Sequence, residues 1–215
     1  MINMLILGSI WLIFTVYAFV FAPPNQPDTF DLIVNLSAGN IEGINPLIVS
    51  LFYLMGVLPA IYACFLLVDG KGQKLPAWIF VTVSFGVGAF AVLPYLALRK
   101  TNQTWTGTKS WLIKILESPI TGIILTLATL TLVFFGINNG DWSDFVRQWQ
   151  SDRFIHVMSL DFCLLCLLFP VIVKDDLPKR GIKNPAILAI ISFVPVLGTL
   201  VYLCLRPNLP ENSKS

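Results

Sequence analysis

The chain has 215 residues, 56% of them hydrophobic and only 12% charged, about half the charge of an ordinary soluble domain. With a mean hydropathy of +0.78 and a net charge of +2, it has neither the composition of a water-soluble core domain nor a basic run suited to nucleic acid. Its four cysteines, Cys64, Cys163, Cys166 and Cys204, all fall in apolar runs and read as small buried apolar residues, not a disulfide framework.

Six runs hold few or no Asp, Glu, Lys or Arg: residues 4–22, 47–68, 77–98, 119–137, 156–173 and 185–205. Each has 18 to 22 residues, against the roughly 20 that cross about 30 Å of hydrocarbon at 1.5 Å per residue. They predict an all-α, polytopic transmembrane helix bundle of about six spans, forming one domain over residues 1–215. The first run has no basic segment before it and no small-x-small site before Pro23, so it reads as an uncleaved span and not as a signal peptide. The second opens at Asn45-Pro46, where a capping side chain precedes a proline that has no amide to leave unpaired; Pro59 predicts a kink. The third opens at Pro76 and carries Ser84 and Gly88 four apart, a spacing that lets helices approach closely in lipid. Trp111, Leu112, Ile115 and Leu116 form a short amphipathic stretch before the fourth run, which opens at Ser118-Pro119 and carries Gly122 and Thr126. From Asp141 to Arg153, Trp142, Phe145, Val146 and Trp149 share one helical face, as in a helix lying in the membrane interface. The fifth run begins at His156 and contains Asp161; the sixth opens at Asn184-Pro185, with Pro195 predicting a second kink.

The sequence also repeats. PAWIFVTVSFGVGAFAVLPYLALR, from Pro76 to Arg99, reads like PAILAIISFVPVLGTLVYLCLR, from Pro185 to Arg206, and Leu58-Pro59-Ala60-Ile61 echoes Phe169-Pro170-Val171-Ile172. Were all six runs to cross, an odd number of spans would separate the copies and make a 3+3 inverted repeat. Chance likeness between apolar helices is the competing explanation. On that count the basic residues divide six to eight between the faces, a weak lean toward cytoplasmic or stromal third and fifth connections. The sequons Asn35-Leu36-Ser37 and Asn102-Gln103-Thr104 oppose that lean and read as accidental.

Little chemistry stands out. His156 is the one histidine; it sits where interfacial imidazoles are common, and it is also a candidate ligand for one tetrapyrrole metal. Asp161 is the one acidic residue inside a run; burying it costs about 2.5–3.5 kcal/mol on insertion scales, so it is a candidate binding residue that should face the bundle interior. His156 and Asp161 are thus the candidate cofactor-binding residues. No catalytic residues and no metal cluster can be assembled from the sequence. The acids Asp69, Asp175 and Asp176 lie beside Lys and Arg and read as solvated turns.

The blocks NPLIVSLFYLMGVLPAIYACFLL, KLPAWIFVTVSFGVGAFAVLPYLALR and HVMSLDFCLLCLLFPVIVKDD resemble those of an uncharacterised multi-pass membrane protein family of cyanobacterial thylakoids and plant chloroplasts. The resemblance covers roughly residues 45–206. It implies a thylakoid membrane setting, with the lipid bilayer and a photosystem or other thylakoid complex as partners and chlorophyll or carotenoid as a bound group. The expected role is a non-enzymatic accessory or assembly factor, or a pigment-holding subunit, of a photosynthetic complex. A small transporter or channel is the second expectation. An enzyme acting on a lipid, quinone or carotenoid through the loop acids is the third.

Overall fold

A computed structural model describes residues 2–105 and 108–210. The described residues are helical with turns and loops and contain no strand. In chain order the helices are α1 (Ile2–Val16, continued by one π-helical turn, Tyr17–Phe21), α2 (Thr29–Ala38), α3 (Pro46–Asp69), α4 (Ala77–Val87), α5 (Ala89–Leu98) and α6 (Trp111–Glu117). They continue with α7 (Pro119–Asn139), α8 (Trp142–Ser151), α9 (Arg153–Lys179), α10 (Pro185–Phe193) and α11 (Pro195–Leu205).

The caps at Asn45, Ser118 and Asn184 form where the sequence places them, and the structure adds others. Asn45, Ser110, Ser118 and Asn184 each accept a hydrogen bond from an amide in the following turn, at 3.0, 3.4, 3.2 and 3.0 Å. Asp141 and Asp152 do the same for α8 and α9, satisfying donors that the first helical turn leaves free.

Four helices are long and apolar enough to cross a membrane: Met4–Phe21, Pro46–Asp69, Pro119–Asn139 and Arg153–Lys179. The third and sixth apolar runs do not form single helices of that length, because each folds back on itself as two short helices. The third run breaks at Gly88, whose φ of +52° is a backbone conformation that side chains disfavour. Phe80 on α4 and Tyr95 on α5 then stand with ring centroids 5.4 Å apart, where fifteen residues of continuous helix would separate them by about 22 Å. The sixth run breaks at Val194, and Pro195 starts a new helix instead of kinking an old one. A Cβ on Gly198 would lie 3.0 Å from the Ile191 Cα, so these two arms also pack side by side.

Both hairpins re-enter from one end of the bundle. Arg99, after α5, pairs with Asp69 at the end of α3 (2.8 Å), and Arg206, after α11, reaches Asp176 near the end of α9 (3.3 Å). The repeat therefore relates copies of the same orientation: a crossing helix, a short helix, a second crossing helix and a hairpin (α1 to α5), then the same order again (α7 to α11). This corrects the inverted arrangement, and the cause is parity, since a hairpin adds no crossing. It also redistributes the charge. Among the described residues, eleven Lys and Arg now lie in or beside connections at the hairpin end, here called the basic end. The opposite, acidic end has Arg147 and Arg153 beside six acids: Asp28, Asp31, Glu42, Asp141, Asp144 and Asp152.

Small residues set the closest packing. A Cβ on Gly122 would lie 2.9 Å from backbone atoms of Leu203 and Cys204, and one on Gly136 2.6 Å from Ser50 Oγ, so α7 sits tight against both α11 and α3. The apolar centre is built on Tyr62 and Phe169, stacked at 4.8 Å. Pro94 denies an intrahelical donor to the carbonyl of Phe90, and the Trp11 indole N–H supplies one at 3.1 Å. Of the cysteines, Cys64 is buried, Cys166 and Cys204 are half-buried, and Cys163 is exposed on the outer surface of α9.

Candidate functional site

At the basic end the repeat brings a buried ionic layer together. Asp69 accepts from Tyr95 Oη (2.9 Å), Arg99 Nη1 (2.8 Å) and Lys179 Nζ (3.0 Å). Asp176 accepts from Tyr202 Oη (2.7 Å), Arg206 Nη1 (3.3 Å) and Arg180 Nε (2.7 Å). The spacing from the acid is 26 residues to the tyrosine and 30 to the arginine in both copies. Asp175 takes the other arm of Arg99 at 2.6 Å, while Glu117 pairs with Lys109 at 2.8 Å. Asp69, Asp175 and Asp176 are therefore buried ion-pair partners, not solvated turns. Their chemistry is structural: Asp69 and Asp176 each tie the return arm of a hairpin to the end of the preceding crossing helix, and Asp175 ties the first hairpin to α9.

His156 is committed as well. Its Nδ1 lies 2.9 Å from the Trp149 carbonyl and its Nε2 2.9 Å from Tyr17 Oη, and its ring stacks on Trp149 at 4.3 Å. With both nitrogens engaged, the imidazole joins the end of α1 to α8 and α9. Among the described residues no group of three His, Cys, Asp or Glu side chains converges on a metal position. Next to this joint, α8 is fixed to the start of α3 by the Asn45 amide, which donates to Asp144 (2.8 Å) and to the Asp141 carbonyl (2.8 Å). That amide, together with Gln148 and Arg147, holds the Asp144 carboxyl below the usual carboxylate range.

Asp161 does face inward, onto the tip of the first hairpin. Its Oδ1 accepts from the Ala89 amide at 2.6 Å, capping α5 at its first residue as an N-cap side chain would. Its Oδ2 packs on Gly88, where any Cβ would come within 1.9 Å. No described residue donates to Oδ2, and Asp161 is 5% exposed.

Above that tip lies a cavity of about 720 Å³ between the end of α1, α2, α3, the hairpin and the start of α9. Phe19, Phe52, Tyr53, Phe85, Phe90 and Phe154 give it aromatic walls, with Asp161 at the floor and Arg153 toward the acidic end. Phe19 and Phe85 are more than half exposed, so the cavity reaches the lateral surface of the bundle. Its origin is a break in the repeat: α3 packs along α7, whereas the corresponding pair, α9 and α1, meets mainly through Tyr17 and His156.

The sequence reading found Asp161 by its charge and His156 by its rarity, but the structure joins only Asp161 to the cavity. Gly88 was legible only as a small residue for close approach, and most of the aromatic walls lay inside apolar runs, where nothing distinguishes a wall from a lipid-facing side chain. The recurring Asp-to-Tyr and Asp-to-Arg spacing was the one available signal for the ionic layer.

Comparison with known proteins finds no matching family profile, no matching curated protein and no matching solved structure. The identity that the residues themselves support is an all-helical integral membrane protein with four helices long and apolar enough to cross the bilayer.

Proposed function

We propose that this protein is a non-enzymatic membrane component that holds a lipophilic molecule in the aromatic cavity above Asp161. The observation that carries this reading is the make-up of the cavity, about 720 Å³ of mostly apolar wall with the buried carboxyl group of Asp161 at its floor. That volume lies within the roughly 300–1,000 Å³ of small-molecule sites, which typically combine apolar walls with few polar groups. In the thylakoid setting that the sequence resemblance implies, a pigment such as a carotenoid or chlorophyll is a fitting occupant. An accessory or assembly role for a photosystem is the wider reading. Extraction of the protein purified in mild detergent should recover a lipophilic compound in stoichiometric amount. Gly56→Leu should remove it, because Gly56 lines the cavity and its Cβ would meet nothing within 4 Å. Recovery of no compound beyond bulk lipid would refute the binding role. Failure to co-migrate with a photosystem or its precursor would refute the wider one.

One observation favours a transporter as the second reading. An acidic side chain at the N-terminus of a half-helix, buried inside the bundle, is the kind of group that discontinuous helices bring together in secondary transporters. Solute uptake that is lost on deleting the gene, with photosystem content unchanged, would favour it.

A further inference from the structure

We infer that the protein seats one anionic glycerolipid at its basic end, in a second cavity of about 860 Å³ between the start of α1, the end of α5 and the end of α9. This cavity shares no lining residue with the aromatic one, and its occupant is independent of the function proposed above. Met4, Leu7, Leu96 and Val171 give it apolar walls. Arg99 and Asp175 also border it, but they are committed to each other at 2.6 Å. The two lysines beside them, Lys100 and Lys174, are exposed, and neither forms an ion pair with another described residue. Two uncommitted positive charges next to an apolar recess are what clefts between membrane helices use to hold anionic lipid headgroups.

The repeat shows what kind of body this place takes. The register that sets Asp69, Tyr95 and Arg99 on Asp176, Tyr202 and Arg206 also sets Val68 on Asp175 and Asn102 on Leu209. In the second copy the chain itself closes the place. Val68 packs with Trp105, Ile113 and Leu209, and Arg206 donates to the Leu116 carbonyl at 2.9 Å. The helix that closes it, α6, brings buried Ile113 and ends in Glu117, whose buried carboxylate accepts from the Leu209 amide at 3.1 Å. In the first copy the matching residues, Asp175, Arg99 and the stretch on either side of Asn102, border the cavity instead. An apolar body with an anionic end thus fills the second site. An anionic lipid reproduces both features in the first, with an acyl chain against Leu7 and Val171 and its headgroup at Lys100 and Lys174. A free phosphate would meet the lysines and leave the apolar recess unfilled, so a lipid is the source of the anion.

The test places the full chain in nanodiscs of phosphatidylglycerol and phosphatidylcholine, equimolar and with the same acyl chains, and counts the lipids it retains by native mass spectrometry. One phosphatidylglycerol should be kept in preference to phosphatidylcholine by about tenfold or more, since each lysine beside an anionic lipid contributes roughly fivefold. Lys100→Gln with Lys174→Gln should abolish that preference. Lys114→Gln with Lys183→Gln removes the same charge from exposed positions outside the cavity and should leave it intact. Excess glycerophosphoglycerol, the headgroup without its chains, should not displace the lipid. Equal retention of the two lipids by the wild type overturns the inference. So does equal loss of preference in both double variants, which would mean diffuse attraction to the basic end, and so does displacement by the free headgroup.

Discussion

At the residue scale, two positions bear most of the structure. Gly88 combines a φ of +52° with Asp161 Oδ2 lying 1.9 Å from where its Cβ would be. Gly88→Ala should therefore lower stability by more than the roughly 1–3 kcal/mol that such a backbone conformation alone costs. Gly86→Ala, whose Cβ would meet nothing within 4 Å, should be near neutral. Thermal unfolding of both variants in detergent checks the contrast. Asp69 receives Tyr95, Arg99 and Lys179. Asp69→Asn leaves Lys179 buried without its acidic partner and should cost about 3–5 kcal/mol, the usual cost of breaking a buried pair from one side; the same unfolding measurement reads it. Asp144 gives a pH prediction. Its carboxyl is held low by the Asn45 amide, so its contribution is present above the unfolded value near pH 4 and is lost as pH falls through the lower folded one. Asn45→Ala should make α8 loosen at a higher pH than in the wild type, which amide exchange over α8, corrected for intrinsic pH dependence, would detect.

At the scale of elements, helix existence and helix starts were legible, and helix fate was not. Asn45, Ser118 and Asn184 cap where the side-chain chemistry says they must, and the amphipathic stretch from Trp142 became α8. The third and sixth runs had the length and hydropathy of spans because each hairpin arm also lies in an apolar interior. Only a single non-helical residue, Gly88 or Val194, converts about 20 apolar residues from one crossing into two half-length arms. A glycine inside an apolar run carries no mark of its own φ, and Pro195 fits a kink as well as a helix start. Asp161 was legible because charge inside such a run is costly. Its partner was not, since the Ala89 amide is a backbone group freed only by the break at Gly88.

At the scale of the whole molecule, the hairpins decide how charge is arranged. Counted over six crossings, Lys and Arg divide almost evenly; with the hairpins returned to their own side, eleven of those among the described residues gather at the basic end and two, Arg147 and Arg153, lie opposite. The positive-inside rule then predicts that the basic end faces the cytoplasm or stroma. The aromatic cavity would open toward the opposite leaflet and be loaded from there. A protease added to sealed, right-side-out membranes should accordingly cut between α2 and α3, and leave the connection between α9 and α10 intact until the membrane is opened.

The most direct test of the two-hairpin fold is cysteine accessibility at Lys74 and Lys100, which flank the α4–α5 hairpin, and at Lys183 and Asn208, which flank α10–α11. In a chain cleared of its four native cysteines, each single Cys variant is labelled with a membrane-impermeant maleimide from one side of sealed vesicles. All four positions should react from the same side, with Glu42→Cys and Asp141→Cys reacting only from the other. Labelling of Lys74→Cys and Lys100→Cys from opposite sides would mean that the third run crosses the membrane, and would contradict the hairpin, the parallel repeat and the cavity floor together.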